Sequence, residues 1–204
     1  GKFQEVEKIN LNINFKNFKK LNENRKLFLK NGFIDSKLNI WVPISINHLG
    51  KNYKAKIRFK GRDPFTHLDA SMRNKNWSFK VKFLKSEKGN ILGIRKFSLM
   101  DLRRRGYLLE WYARKFLKEE KLIFLDYKFI NLFINGTDHG IYAMDENISE
   151  STLTKNKRRD SVSVRLDNNY VNGIHSPIIH RYLYDLVMYN KDLIDMKINQ
   201  LNDY

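Results

Sequence analysis

The chain has 204 residues, 42% of them hydrophobic, with fourteen Phe, ten Tyr and three Trp; this is enough to bury a sizeable core and far more aromatic surface than a disordered chain carries. Its 39 Lys and Arg against 22 Asp and Glu give a formal charge of +17, which attracts phosphates, nucleic acid, anionic lipid or acidic protein without choosing among them, and the Lys, Asn and Ile richness is equally what an AT-rich genome would produce. The absence of cysteine excludes disulfide scaffolds, thiolate zinc sites and cysteine nucleophiles, and no apolar run approaches the roughly 20 residues of a membrane helix.

Alternating Ile9, Leu11, Ile13 and Phe15 predict a strand within Val6 to Phe15. Helical spacing follows from Asn17 to Leu29, with Asn31-Gly32 as its stop. Trp41 to Ile46 and Tyr53 to Phe59 read as a hairpin turning at Gly50. In its second strand, Tyr53, Ala55, Ile57 and Phe59 alternate with Lys54, Lys56, Arg58 and Lys60, so one face is buried and the other is a basic stripe. The stretch from Gly61 to Lys75 reads as a loop, and Trp77 to Leu84 alternates again, turning Ser78, Lys80 and Lys82 to the basic side.

A short strand is expected at Lys96 to Leu99. A long helix is expected at Arg104 to Glu120, its apolar face formed by Leu108, Leu109, Tyr112, Ala113, Phe116 and Leu117. Tyr127 to Ile134 and Gly140 to Met144 form a second hairpin around the loop from Asn135 to His139. Beyond Glu146 the sequence offers a polar linker from Ser149 to Asp160, a strand at Ser161 to Leu166 and a helix at Ile179 to Asn190.

Standard catalytic signatures are missing. The five histidines show neither HExxH nor a metal-ligand spacing, and there is no Walker A loop, GxGxxG or GxSxG. What remains is the convergence of Arg58, Lys60, Lys80 and Lys82 on one predicted sheet face, with Gly61 and Arg62 beside them, a set able to neutralise a triphosphate. On alternation alone a solvated strand face accounts for the same pattern. Glu110, on the long helix, and Glu146, at the end of the second hairpin, are candidate partners for a phosphate-binding lysine; Glu110 also reads as a surface pair with Arg114 one turn on.

The order of segments is informative: KIRFKGR, KNWSFKVKF, GIRKFSLMD, RRRGYLLEW, KFINLFINGTDHGIYAMDE and RRDSVSVRLD. Together, from about Trp41 to Asp167, they resemble the CotH kinase family. That resemblance implies an α+β, mainly antiparallel sheet with one long packed helix, arranged as a protein kinase-like N-lobe in a chain truncated before the C-lobe. It also implies transfer of phosphate from ATP, with Mg²⁺, to Ser residues of a partner protein, originally of bacterial spore coats. Lys80 or Lys82 would contact the ATP phosphates, with Glu110 or Glu146 as the lysine's partner. Gly61 would admit phosphate close to the backbone, and Arg58, Lys60 and Arg62 would support its charge.

The family's metal-binding and catalytic aspartates have no counterpart before Tyr204, where Asp185, Asp192, Asp195 and Asp203 have the wrong surroundings. No catalytic or metal-ligating residue is therefore assigned, and the piece alone is expected not to turn over. The expected division is an N-terminal strand and basic helix (1–40), a sheet and helix core (41–148), and a linker, strand and start of a helical part (149–204). Two other readings remain: a polyanion-binding module for nucleic acid or an anionic surface, also using Arg103 to Arg105 and Lys155 to Arg159, and a non-catalytic coat or surface scaffold. Compartment stays open between cell surface or spore and cytoplasm.

Overall fold

The computed structural model describes residues 6–31, 34–35, 37–60, 77–102, 106–158, 164–167 and 185–188, the last two stretches as backbone. The chain divides into two compact units, Gly1–Thr152 and Leu153–Tyr204.

The first unit is built on β1 (Lys8–Asn12), β2 (Val42–His48), β3 (Lys51–Phe59), β4 (Phe79–Phe83), β5 (Lys96–Asp101), β6 (Tyr127–Ile134) and β7 (Thr137–Glu146). Helix α1 (Phe15–Asn31) lies between β1 and β2, and α2 (Leu109–Glu119) between β5 and β6. The strands follow the order β1-β2-β3-β4-β5-β7-β6 and close into a barrel. Neighbours are antiparallel except at the seam, where β1 runs parallel to β6 with Ile9 opposite Leu132 and Leu11 opposite Ile134.

Alternation decides which side chains fill the barrel. Ile57 and Phe59 of β3, Phe79 and Val81 of β4, Phe97 and Leu99 of β5, and Tyr142 and Met144 of β7 are at most 1% exposed, each contributing roughly 1.5–3 kcal/mol of burial. Leu21 and Phe28 of α1 join the same cluster, Phe28 meeting the edge of Phe59 with centroids 6.2 Å apart. Two tight hairpins fix the register. Leu49-Gly50 (φ 51° and 75°) joins β2 to β3, and Asn135-Gly136 (φ 50° and 80°) joins β6 to β7, the paired positive φ values matching the twist of the strands they connect.

The expected architecture is overturned. The chain forms a closed seven-stranded barrel with a few short helices, not an α+β kinase-like N-lobe with one long packed helix. Two physical facts produce the difference. Ile9 and Leu11, both 0% exposed, insert β1 between the sheet's edges and leave neither open. Helix α2, expected to bury a continuous apolar face, buries no residue completely: Leu109 is 72% exposed and Tyr112 and Phe116 are each 59% exposed. The side it turns to the barrel carries Glu110, Trp111, Arg114 and Leu117, all half-buried, and Trp111 packs with Met100, Tyr127, Ala143 and Phe129 in a small second core outside the barrel.

Downstream, the polar stretch expected to be a linker holds a short helix, α3 (Glu150–Lys155). In the second unit β8 (Val164–Asp167) pairs antiparallel with β9 (Asp185–Met188). The strand within 185–188 stands where a helix from Ile179 to Asn190 was expected; its Leu-Val-Met core suits either state by periodicity, and a ladder partner decides for the strand. The rest of that expected helix lies outside the described residues, as does the predicted loop beyond Lys60. Among the described residues, no helix is long and apolar enough to cross a membrane.

Candidate functional site

Strand parity turns Lys56, Arg58 and Lys60 outward on β3 and its end, and Lys80 and Lys82 outward on β4, because their neighbours Ile57, Phe59, Phe79 and Val81 fill the barrel. Register then sets them side by side: Lys56 opposite Lys82 and Arg58 opposite Lys80. The rows continue onto β5, where Lys96 faces Lys82 and Ser98 faces Lys80, and onto β7, where Asp145 faces Ser98. The structure thus gathers Arg58, Lys60, Lys80 and Lys82 on one outer face. Gly61 and Arg62 lie outside the described residues.

One end of this face carries an ion network beneath α2. Lys60 Nζ is 3.3 Å from Asp145 Oδ2, Arg114 is 3.6 Å from Asp145 Oδ1, and Arg114 donates to Glu110 Oε1 at 2.9 Å. The side chains of Lys60 and Asp145 are 16% and 10% exposed, so this pair is screened far less than an ordinary surface contact. Asp145 Oδ1 is buried and accepts no hydrogen bond among the described residues; the nearby guanidinium offsets its charge without closing a bond. Glu110 is thus linked to Lys60 through Arg114 and Asp145.

Away from that network the face is cationic. Arg58 and Lys82 both lie over the ring of Trp41, at 4.7 and 4.2 Å from its centroid. The indole orients these cations without neutralising them. Burial, and after it the charges of Lys56, Arg58 and Lys96, hold the Lys82 ammonium below the usual lysine range; burial alone lowers Arg58.

Glu146 points the other way. Its Oε2 accepts from the Asp126 N–H at 2.8 Å and its Oε1 from the Thr152 hydroxyl at 2.8 Å, and it is 5% exposed. It ties the end of β7 to the segment entering β6 and to α3, and it lies on the opposite side of its strand from Asp145.

The profile of the CotH kinase protein family matches residues 57–196, more than half of the chain. The chain belongs to the CotH kinase family. The match begins on β3 and takes in the ion network and both cation rows of β3, β4 and β5 apart from Lys56. No curated protein matches the chain.

Membership in a kinase family implies a nucleotide and a metal. The outer face of this CotH-family chain fits the first, since clustered Arg and Lys are what phosphate requires. It does not fit the second: among the described residues no group of three or more His, Asp or Glu is placed to hold a metal ion, and Asp145 and Glu146 are engaged by the partners above. Sequence reasoning missed Asp145, Trp41 and Lys96, and named Arg114 as the partner of Glu110 without its link to Asp145. Asp145 was legible in principle, because parity sets it opposite to Glu146, but the choice between the two neighbours needs the β5–β7 register.

Proposed function

We propose that this chain binds the phosphates of ATP on the outer face of β3, β4 and β7, and that it serves a kinase transferring the γ-phosphate to Ser residues of a partner protein. The observation that carries this reading is the half-buried chain Lys60–Asp145–Arg114–Glu110. A lysine held by a carboxylate, which is in turn tied to a helix, is the arrangement by which kinases fix a phosphate-binding ammonium. Here an aspartate on a strand takes the direct role, and the helix acts through Arg114. Lys80, in the adjacent row, adds charge for the phosphate oxygens, and the segment starting at Gly61 and Arg62 continues directly from Lys60. The chain's part in the reaction is to bind and orient the phosphates; family membership supports phosphoryl transfer as the reaction class.

The test is calorimetric titration with a non-hydrolysable ATP analogue. Lys60→Ala and Asp145→Asn should each weaken binding about tenfold or more, equivalent to about 1.4 kcal/mol, and Glu110→Gln should weaken it less. Unchanged affinity in both Lys60→Ala and Asp145→Asn, or no binding by the unaltered chain at millimolar analogue, would sink the reading.

A further inference from the structure

The cations of the outer face fall into two groups with different chemistry. Lys60 is neutralised by Asp145. Lys56, Lys82 and Lys96 form a second group: they stand in one row across three strands, at about the 4.8 Å strand spacing. Arg58 stands in the next row, held over Trp41 beside Lys82. Its Nε is buried with no hydrogen-bond partner among the described residues. Neither row contains a carboxylate on β3, β4 or β5. So dense an array of like charge, oriented by an indole and not by acids, needs an anion of comparable charge density.

Shape and composition narrow the ligand. Small-molecule sites are concave; the Lys60–Asp145 end lies beneath α2, which reaches it through Arg114, whereas the row of Lys56, Lys82 and Lys96 lies away from that network on the outside of the barrel, a surface that suits an extended chain. Proteins that hold single-stranded nucleic acid offer open aromatic faces to the bases, and here the indole is already covered by two cations. A phosphoserine carries nearly twice the charge of Asp or Glu, on three acceptor oxygens. Phosphates on alternate residues of an extended peptide lie about 7 Å apart, within the sweep of lysines on neighbouring strands.

We propose that Lys56, Lys82, Lys96 and Arg58 dock a segment of the partner protein that already carries closely spaced phosphoserines. This rests on the kinase reading above, since such a segment is that reaction's product. Its consequence is retention of the partner between successive transfers, so that a Ser-rich stretch is modified in runs.

The experiment uses fluorescence anisotropy with a labelled peptide of alternating Ser and Gly in two forms, unmodified and with three phosphoserines, against the unaltered chain and the Lys56→Glu/Lys96→Glu variant. The phosphorylated form should bind at least thirtyfold tighter than the unmodified one, and the double variant should lose at least tenfold of that affinity while keeping its affinity for the ATP analogue. The milder Lys56→Gln/Lys96→Gln pair, checked for an unchanged melting temperature, should show the same direction if charge reversal disturbs folding. Equal binding of the two peptides, unchanged binding in both variants, or equal competition by an oligothymidylate of matched charge would overturn the proposal, the last by showing a surface for any polyanion. The two readings fail separately: phosphopeptide binding with no ATP-analogue binding sinks the nucleotide site and leaves the docking surface standing, and the converse result does the reverse.

Discussion

Asp145 and Glu146 are adjacent acids on one strand with opposite duties, because successive side chains of a strand leave from opposite faces. Asp145 meets Lys60 and Arg114 outside the barrel; Glu146 fastens the Asp126 N–H and the Thr152 hydroxyl. Glu146→Ala should therefore cost stability, about 2–3 kcal/mol by urea denaturation, since it strands buried donors, while ATP-analogue affinity measured on the folded protein stays within about twofold. Lys82 has the opposite balance. Its folded pKa lies below the ordinary 10.5, so between the two values the unfolded chain binds more protons and stability rises with pH. The charge penalty is fully present at neutral pH. Lys82→Gln should leave stability unchanged or raise it by up to about 0.5 kcal/mol near pH 7, and the difference from the unaltered chain should shrink as pH rises toward 10.5.

Helix α2 shows how an element can be found while its orientation is misread. Its periodicity is real, and the helix forms within the expected span. The apolar stripe of Leu109, Tyr112 and Phe116 is nevertheless exposed, because the barrel offers this helix Asp145 and a shallow patch at Met100, Ala143 and Phe129. Arg114 and Trp111, not the apolar stripe, satisfy those two features. Trp111→Ala should accordingly destabilise the chain by about 2 kcal/mol and Phe116→Ala by less than about 0.5 kcal/mol, read from denaturant midpoints at constant slope. An equal cost at both positions would mean that the stripe is buried in solution.

At the scale of the molecule, stability depends on closure. The ladder between β1 and β6 joins residues more than a hundred positions apart, Leu11 facing Ile134, and removing it would expose the unpaired edges of β2 and β6. A chain lacking its first 14 residues should lose cooperative unfolding or self-associate, visible by light scattering and by a broadened urea transition. Leu11→Ala, leaving a cavity at a 0% exposed position, should cost about 2–5 kcal/mol without opening the seam.

The sequence by itself determined the local pieces. Alternation through β3 and β4 located a basic face and its members Arg58, Lys60, Lys80 and Lys82, Gly50 and Gly136 located the hairpins, and the ordered motifs carried the family. These signals are local because they depend only on which residues lie within a strand's length or a turn's reach. Only the tertiary structure decided that the sheet closes, that Asp145 meets Lys60 while Glu146 ties Asp126 and Thr152, that Arg114 joins Glu110 to Asp145, and that Trp41 lies beneath both Arg58 and Lys82. Each of these depends on register between strands distant in the chain. Register is set by the fit of a whole buried face, a collective quantity that no single segment carries.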